Sequence, residues 1–162
     1  MTIRGPEPTA VRITVDPQDR ICVLSPPDGT SGDTVYQGTG MIVSRRIVQS
    51  LRPHYRYLTL LHSGNEGHPS ADCQAVHGRF MILPTILHWE SHHTLWPGAS
   101  DRLTVRIELR PLASSSMSRV VTYSATRPWG PDSTIRSVES LLTSEFDVAT
   151  LRLFSSDSAH AP

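Results

Sequence analysis

The densest group of potential metal ligands in the sequence is the segment His88-Trp89-Glu90-Ser91-His92-His93. On a helix, His88 and His92 would share one face, and imidazole pairs at that spacing can coordinate a single ion. The residue order is not the HExxH pattern of zinc proteases, and no clear third ligand follows. We therefore expect no metal and no cofactor, with His88 and His92 as the two residues that a metal would use.

Nucleophilic chemistry has no recognisable motif in this sequence. Cys22 and Cys73 are its only cysteines, they lie far apart, and neither belongs to a CxxC pair. No GxSxG elbow is present, and Gly38-Thr39-Gly40 lacks the Lys of a phosphate-binding loop. Whether the protein is an enzyme therefore stays open, and a non-enzymatic role is favoured. The two isolated cysteines also indicate free thiols and an intracellular, reducing location.

Arginine supplies every basic side chain, because the sequence contains no Lys, and 15 basic residues balance 15 acidic ones. The middle of the chain, residues 41–136, carries an excess of Arg, whereas both ends carry an excess of acidic residues. Guanidinium groups favour bidentate contact with phosphate or carboxylate, so the middle could contact nucleic acid or an anionic membrane surface. The predicted contact residues are Arg45, Arg46, Arg52, Arg56, Arg102, Arg106 and Arg110. A solvated face is the alternative.

Hydrophobic patterns place these residues on strands and helices. Residues 102–110 alternate charged or polar and apolar side chains, which predicts a strand with one buried and one solvated face. Residues 39–51 have a helical pattern that Pro53 ends, and a second helix is predicted over 132–145. Further strands are expected at 10–15, 20–24, 55–61, 73–83, 119–125 and 148–154.

A chain of 162 residues is long enough for one domain with a substantial core. We expect a single α+β domain over residues 10–154, built from an antiparallel sheet and two helices. A flexible N-terminus (1–9) and a disordered tail (155–162) are expected to flank it. No stretch is long and apolar enough to span a bilayer, so any membrane contact would be peripheral.

Two tryptophans, Trp89 and Trp96, lie in a segment between Pro84 and Asp101 that has no clear regular pattern. Large aromatic side chains often dominate protein interfaces, so we expect an exposed loop through which the protein associates with itself. The alternative is that the segment folds back over the sheet and places both rings in the core.

The order of these elements resembles that of the matrix proteins of rhabdoviruses, over roughly Val11 to Phe154, and a compact plant-virus member fits best. The resemblance is one of topology and not of motifs. The family's late-domain motif is absent, since Pro26-Pro27-Asp28-Gly29 supplies the prolines alone, and the Lys-rich N-terminal arm of several members is missing.

The resemblance implies a structural, virion-associated protein that self-associates and links the nucleocapsid to the inner face of an envelope membrane. Its partners would be further copies of itself, nucleoprotein or nucleic acid, and an anionic membrane surface. Two alternatives remain open. One is a small α+β barrel that binds, cyclises or isomerises a small apolar molecule, and the other is a viral accessory protein that binds RNA.

Overall fold

A six-stranded sheet with helices on both faces organises the chain in a computed structural model, which describes residues 2–4, 13–62, 68–91, 100–128 and 138–155. The strands are β1 (Thr2–Arg4), β2 (Arg20–Ser25), β3 (Gly29–Ser31), β4 (Thr34–Tyr36), β5 (Tyr57–His62), β6 (Phe80–Glu90), β7 (Ser100–Pro111) and β8 (Arg119–Pro128). The helices are α1 (Thr39–Leu51), α2 (Pro69–Ala75) and α3 (Ser144–Arg152), with a 3-10 helix at Val138–Leu141. The sheet order is β1-β8-β7-β6-β2-β5, and β3 and β4 form a separate hairpin. The predicted single-domain α+β class is confirmed.

Strand direction changes within this sheet. The strands β6, β7, β8 and β1 are antiparallel neighbours, as the sequence predicts, but β2 is parallel to both β5 and β6. The segment from β2 through α1 to β5 is a strand-helix-strand crossover, and such a connection joins parallel neighbours. The strand predicted at 10–15 does not form in its described part, because Ile13 to Val15 have no strand structure, and β2 therefore has no hairpin partner there.

The main core lies between one face of the sheet and the helices α1 and α3. Val43, Ile47 and Leu51 recur every four residues along α1 and are fully buried, as is Phe146 on α3. Tyr123 on β8 meets Phe146 edge to face, with the ring centroids 5.2 Å apart. The alternating pattern of β7 supplies the sheet side of the core: Leu103, Val105, Ile107 and Leu109.

The last described element is a helix, α3, where the sequence predicts a strand over 148–154. Phe146, Ala149, Thr150 and Leu153 are all buried and follow the i, i+3, i+4, i+7 spacing of one helix face. The hydroxyl of Thr150 donates to the carbonyl of Phe146 over 2.9 Å, so its polar group is satisfied within the helix. Of the helix predicted at 132–145, residues 132–137 lie outside the described residues.

The segment expected to be an irregular loop after Pro84 is largely strand. Beyond Pro84, β6 continues to Glu90 and remains paired with β7. Since β2 pairs with β6 only from Phe80 to Ile82, Pro84 lies where one side of β6 has no ladder to maintain. Trp89 therefore belongs to a strand and is 3% exposed in the core, which is the intramolecular alternative of the sequence analysis. Residues 92–99, including His92 and Trp96, lie outside the described residues.

Cys22 and Cys73 form a disulfide, with their Cα atoms 5.8 Å apart, so the expectation of free thiols is wrong. Ile21 and Val23 face the main core, so Cys22 points to the opposite face of the sheet, where α2 packs. Pro69 occupies the start of α2, a favoured position for proline, and the helix carries Cys73 over β2. A sequence separation of 51 residues gave no sign of this proximity.

Both ends of the chain lie partly outside the described residues. Thr2–Arg4 pair with β8, whereas residues 1, 5–12 and 156–162 are not described. The limits 1–9, 10–154 and 155–162 therefore remain predictions. Among the described helices, none combines the length and the apolar character needed to cross a membrane.

Candidate functional site

Exposed arginines lie together at one end of the sheet, at or just before the starts of three strands. Because β2, β5 and β6 are parallel, their first residues lie side by side, and Arg20 is in register with Tyr57. The backbone N–H of Arg79 donates to the carbonyl of Arg20 over 2.8 Å, and the N–H of Arg56 donates to the carbonyl of Pro17 over 3.1 Å. The crossover topology thus brings together Arg20, Arg56 and Arg79, which are distant in sequence.

Tyr57 lies between two of these arginines. The guanidinium carbon of Arg20 is 5.3 Å from the centre of the Tyr57 ring, and that of Arg56 is 5.5 Å away. Each such cation–π contact contributes about 0.5–1 kcal/mol at an exposed position. The side chain of Tyr57 remains 38% exposed. Tyrosine and arginine are the residue types in which protein interfaces are enriched, so this cluster has the composition of a contact surface.

Two helix ends add further positive charge to the same end of the molecule. Arg52 is the C-cap residue of α1, four positions before Arg56. Arg152 ends α3, and the ring of Phe154 just beyond it lies 4.7 Å from the ring of Tyr55. Burial raises the pKa of Tyr55, so its hydroxyl stays neutral at physiological pH. We call Arg20, Arg52, Arg56, Arg79 and Arg152 the basic end.

The arginines predicted on the first helix do not form one group. Arg45 is exposed on α1, whereas Arg46 donates to the carboxylate of Asp147 on α3 over 2.6 Å. The hydroxyl of Ser50 donates to the same carboxylate over 2.5 Å, so Arg46 serves the packing of α1 on α3. Only Arg52 and Arg56 reach the basic end. The phosphate contacts predicted for Arg45 and Arg46 remain predictions.

Arg102, Arg106 and Arg110 lie on the solvated face of β7, as the alternating pattern indicates, with Glu108 among them. The carboxylate of Glu108 accepts hydrogen bonds from Arg106 over 3.1 Å and from Arg110 over 2.6 Å. Burial by itself raises the pKa of Glu108, but the hydrogen bonds and charges of Arg110 and Arg106 outweigh it and lower the pKa. Two of the three arginines thus neutralise an internal carboxylate, and their contact with phosphate remains a prediction.

The opposite end of the molecule is acidic. Glu90 ends β6, and Asp101 is the second residue of β7, where it pairs with Arg127. Asp33 is exposed in the turn of the β3-β4 hairpin, and that hairpin packs against β6, because a Cβ on Gly29 would lie 2.6 Å from Cβ of Trp89. Exposed Glu139, with Tyr36 and Trp89, lines a cleft of about 240 Å³. We call Asp28, Asp33, Glu90, Asp101 and Glu139 the acidic end.

The first turn of α1 is occupied by a carboxylate of the protein itself. Asp28 accepts hydrogen bonds from the backbone N–H of Gly38 over 3.0 Å and from that of Gly40 over 2.9 Å. A Cβ on Gly40 would lie 2.1 Å from the carbonyl oxygen of Pro26, so only glycine fits there. Gly38 has a φ of 82°, a conformation that favours glycine. These glycines therefore serve the loop-to-helix turn and not a phosphate site.

The histidine and tryptophan candidates are separated by the strand structure. Nε2 of His88 lies 2.9 Å from the carboxylate of Glu90, two residues along β6. Within the described ranges, no three His, Cys, Asp or Glu side chains are grouped as metal ligands would be. His92 and Trp96 lie outside those ranges, so the shared helix face for His88 and His92 and the role of Trp96 in self-association remain predictions. Trp89 is a core residue of the monomer.

Sequence reasoning missed Arg20, Tyr57, Arg79 and Arg152 as members of one surface. Recognising 20–62 as a parallel crossover would have placed the starts of β2 and β5 together and revealed the first two. No sequence pattern places Arg79 and Arg152 on this surface, because their positions depend on β6 lying beside β2 and on α3 being a helix.

These features define the protein as an α+β domain with a crossover beside an antiparallel meander and with oppositely charged ends. The same fold is found in the PelC dodecamer from Paraburkholderia phytofirmans, at 14% identity and a TM-score of 0.69, covering 96% of this chain and 99% of that chain. A second crystal form of that protein, the L103M dodecamer, gives a TM-score of 0.67 at 14% identity, over 96% of this chain and 100% of that chain.

Two further bacterial structures are partly similar. XCC0632 from Xanthomonas campestris, of family DUF330, is 15% identical over 86% of this chain and 89% of its own, with a TM-score of 0.49. Lipoprotein GNA1162 from Neisseria meningitidis is 14% identical over 79% and 94%, with a TM-score of 0.48. Both scores are too low to establish a shared fold. No family model matches the sequence, and no curated protein matches it.

The resemblance to rhabdovirus matrix proteins is therefore wrong, because the likeness over the whole chain is to a bacterial protein. The predicted virion-associated location and the predicted role in linking nucleocapsid to envelope are therefore wrong as well. The predicted order of elements differs from the structure at α3, which is a helix in place of the predicted strand, and one order of elements fits several sheet topologies. The likeness to the PelC structure supports neither the small-molecule barrel nor the RNA-binding alternative.

Proposed function

We propose that this protein is a homo-oligomeric subunit that acts in an oxidising compartment outside the bacterial cytoplasm. The main support for the proposed oligomer is the likeness to the PelC dodecamer, which extends over nearly the whole of both chains. At 14% identity this is an analogy of fold, so the surfaces of this chain have to supply the physical support.

The disulfide between Cys22 and Cys73 supports the proposal that the protein acts in an oxidising compartment. Disulfides persist in the periplasm and on cell surfaces, whereas thiols stay reduced in the cytoplasm. The two sulfur atoms are buried between β2 and α2, since Cys22 is 1% exposed and Cys73 is fully buried. A bond in that position belongs to the folded structure of the domain and is poorly accessible to reductants.

Exposed apolar side chains support self-association. Val35 on the β3-β4 hairpin is 58% exposed, Leu87 on β6 is 55% exposed and Val148 on α3 is 47% exposed. Together with Tyr57 on β5 they belong to four different elements, so the exposed apolar side chains are not confined to one strand or helix. Burying these exposed apolar side chains under a second copy removes them from water and so favours association.

Size-exclusion chromatography with light scattering tests whether the protein is an oligomer. The protein used should have an intact disulfide, shown by mass spectrometry as the absence of thiol alkylation. We expect a single species well above the 17.9 kDa of one chain over a hundredfold range of concentration. A species that stays monomeric over that range would contradict the assembly, and protein exported to the periplasm that carries two alkylatable thiols would contradict the compartment.

A further inference from the structure

We propose that neighbouring copies dock head to tail, with the basic end of one copy on the acidic end of the next. This inference rests on the proposed homo-oligomer and names its contact surfaces. It follows from the charges and positions of the two ends, which the chain holds on opposite sides of one rigid sheet.

The basic end has far more positive than negative charge. Of its five guanidinium groups, that of Arg79 is bound to the carboxylate of Asp19 at 2.7 Å, and Asp16 lies beside Asp19. Among the described residues, no carboxylate lies in salt-bridge contact with Arg20, Arg52 or Arg56. These three exposed cations thus have charge available for a partner.

The acidic end has the opposite balance. Among the described residues at this end, Asp101 is bound to the guanidinium of Arg127, and the carboxylate of Glu90 lies 2.9 Å from Nε2 of His88. Asp33 and Glu139 are exposed, and within the part of the chain that the structure describes neither is in an ion pair. Glu139 lines the cleft beside Tyr36, so a guanidinium from another copy can approach an exposed carboxylate at the cleft.

The direction of the strands sets the two ends apart. β2 begins at Arg20 in the basic end, and the loop that follows its last residue, Ser25, leads to Asp28 in the acidic end. β6 likewise runs from just after Arg79 to Glu90. Because the two surfaces differ, their contact is heterologous, and repeating it produces a closed ring or an open filament. Unlike charges also orient approaching copies, which favours head-to-tail encounters over head-to-head ones.

Charge reversal tests the docking. The variant Arg52→Glu/Arg56→Glu makes the basic end acidic, and the variant Asp33→Arg/Glu139→Arg makes the acidic end basic; all four side chains are exposed. Each variant alone should lose at least tenfold in association constant by sedimentation velocity. An equimolar mixture should recover association, because each contact then joins unlike charges again. Arg45→Glu, an exposed reversal outside both ends, is the matched control and should associate as the wild type does.

The outcomes separate this inference from the homo-oligomer itself. A wild type that is monomeric overturns both. A wild-type oligomer whose two variants assemble unchanged overturns head-to-tail charge docking and leaves the oligomer standing. Recovery in the mixture supports the docking and also shows that both variants are folded, since unfolded chains would not associate specifically. If the basic-end variant fails to fold, the neutral pair Arg52→Gln/Arg56→Gln replaces it, and if the acidic-end variant fails, Asp33→Asn/Glu139→Gln does; each should associate several-fold more weakly than wild type.

Discussion

Gly78 lies directly against the disulfide between Cys22 and Cys73. A Cβ on Gly78 would come within 2.1 Å of the sulfur of Cys73 and 2.4 Å of the sulfur of Cys22. The N–H of Gly78 also donates to the carbonyl of Cys73 over 2.8 Å, which closes the turn between α2 and β6. The backbone of this turn is therefore packed onto the bond, and α2, β2 and β6 depend on one another at this point.

Removing the disulfide should destabilise the protein strongly. In the chain-entropy account, a cross-link closing a loop of about 50 residues contributes about 4 kcal/mol to the free energy of unfolding. We expect Cys22→Ala/Cys73→Ala, and wild type in the presence of a reductant, to unfold at markedly lower urea concentration. Urea denaturation followed by circular dichroism measures this. A midpoint of Cys22→Ala/Cys73→Ala equal to that of the oxidised wild type would show that the bond contributes nothing.

Substituting Gly78 by Ala should cost about 1–3 kcal/mol, because the added methyl group overlaps both sulfur atoms. The matched control is the same substitution in the Cys22→Ala/Cys73→Ala background, where the sulfur atoms are gone. The cost should fall there, and the difference between the two costs measures the coupling. Equal costs in both backgrounds would mean that the disulfide does not restrict this position.

Stability should fall at low pH in part through Glu108. Its pKa is lowered in the folded protein, against the effect of burial, by Arg110 and Arg106. A lowered folded-state pKa stabilises the protein above the unfolded-state pKa of about 4, and this stability is lost as the pH falls through the folded-state value. Glu108→Gln should lack that component, so its stability should change less between pH 6 and pH 3. A pH dependence identical to that of wild type would contradict the pairing, and Glu139→Gln is the exposed control.

Asp28 should stabilise the start of α1. Its carboxylate accepts two backbone N–H groups at the first turn of the helix, and loss of such a cap typically costs about 1 kcal/mol. Asp28→Ala should lower the free energy of unfolding by that amount, whereas Asp28→Asn retains an acceptor and should lose less. If Asp28→Ala and Asp28→Asn are equally stable, the hydrogen bonds to Gly38 and Gly40 do not support the helix.

The sequence predicts those parts of the fold that have a strong local period. The alternation in 102–110 and the helical spacing in 39–51 both appear in the structure as β7 and α1. At α3, the helical spacing from Phe146 to Leu153 competes with a short run that also fits a strand, and the choice depends on packing against α1. The parallel position of β2 is likewise a long-range property, set by the crossover through α1.

The candidate surfaces were harder to predict than the fold. Arg52 and Arg56 are close in sequence, so their local charge is visible, but Arg20 and Arg79 join them only through the register of three strands. The disulfide could not be predicted for the same reason. Cys73 lies next to Cys22 only because the short helix α2 packs over β2. Trp89 is a core residue because β6 extends past Pro84. From the sequence alone, a proline disfavours such a continuous strand.

Native mass spectrometry of the oxidised wild-type protein tests self-association most directly. The account predicts one dominant assembly whose mass is a whole-number multiple of the 17.9 kDa chain, and which dissociates to monomers as the ionic strength of the solution is raised. A spectrum that contains only the 17.9 kDa monomer, at low ionic strength and at concentrations well above the micromolar range, would contradict it.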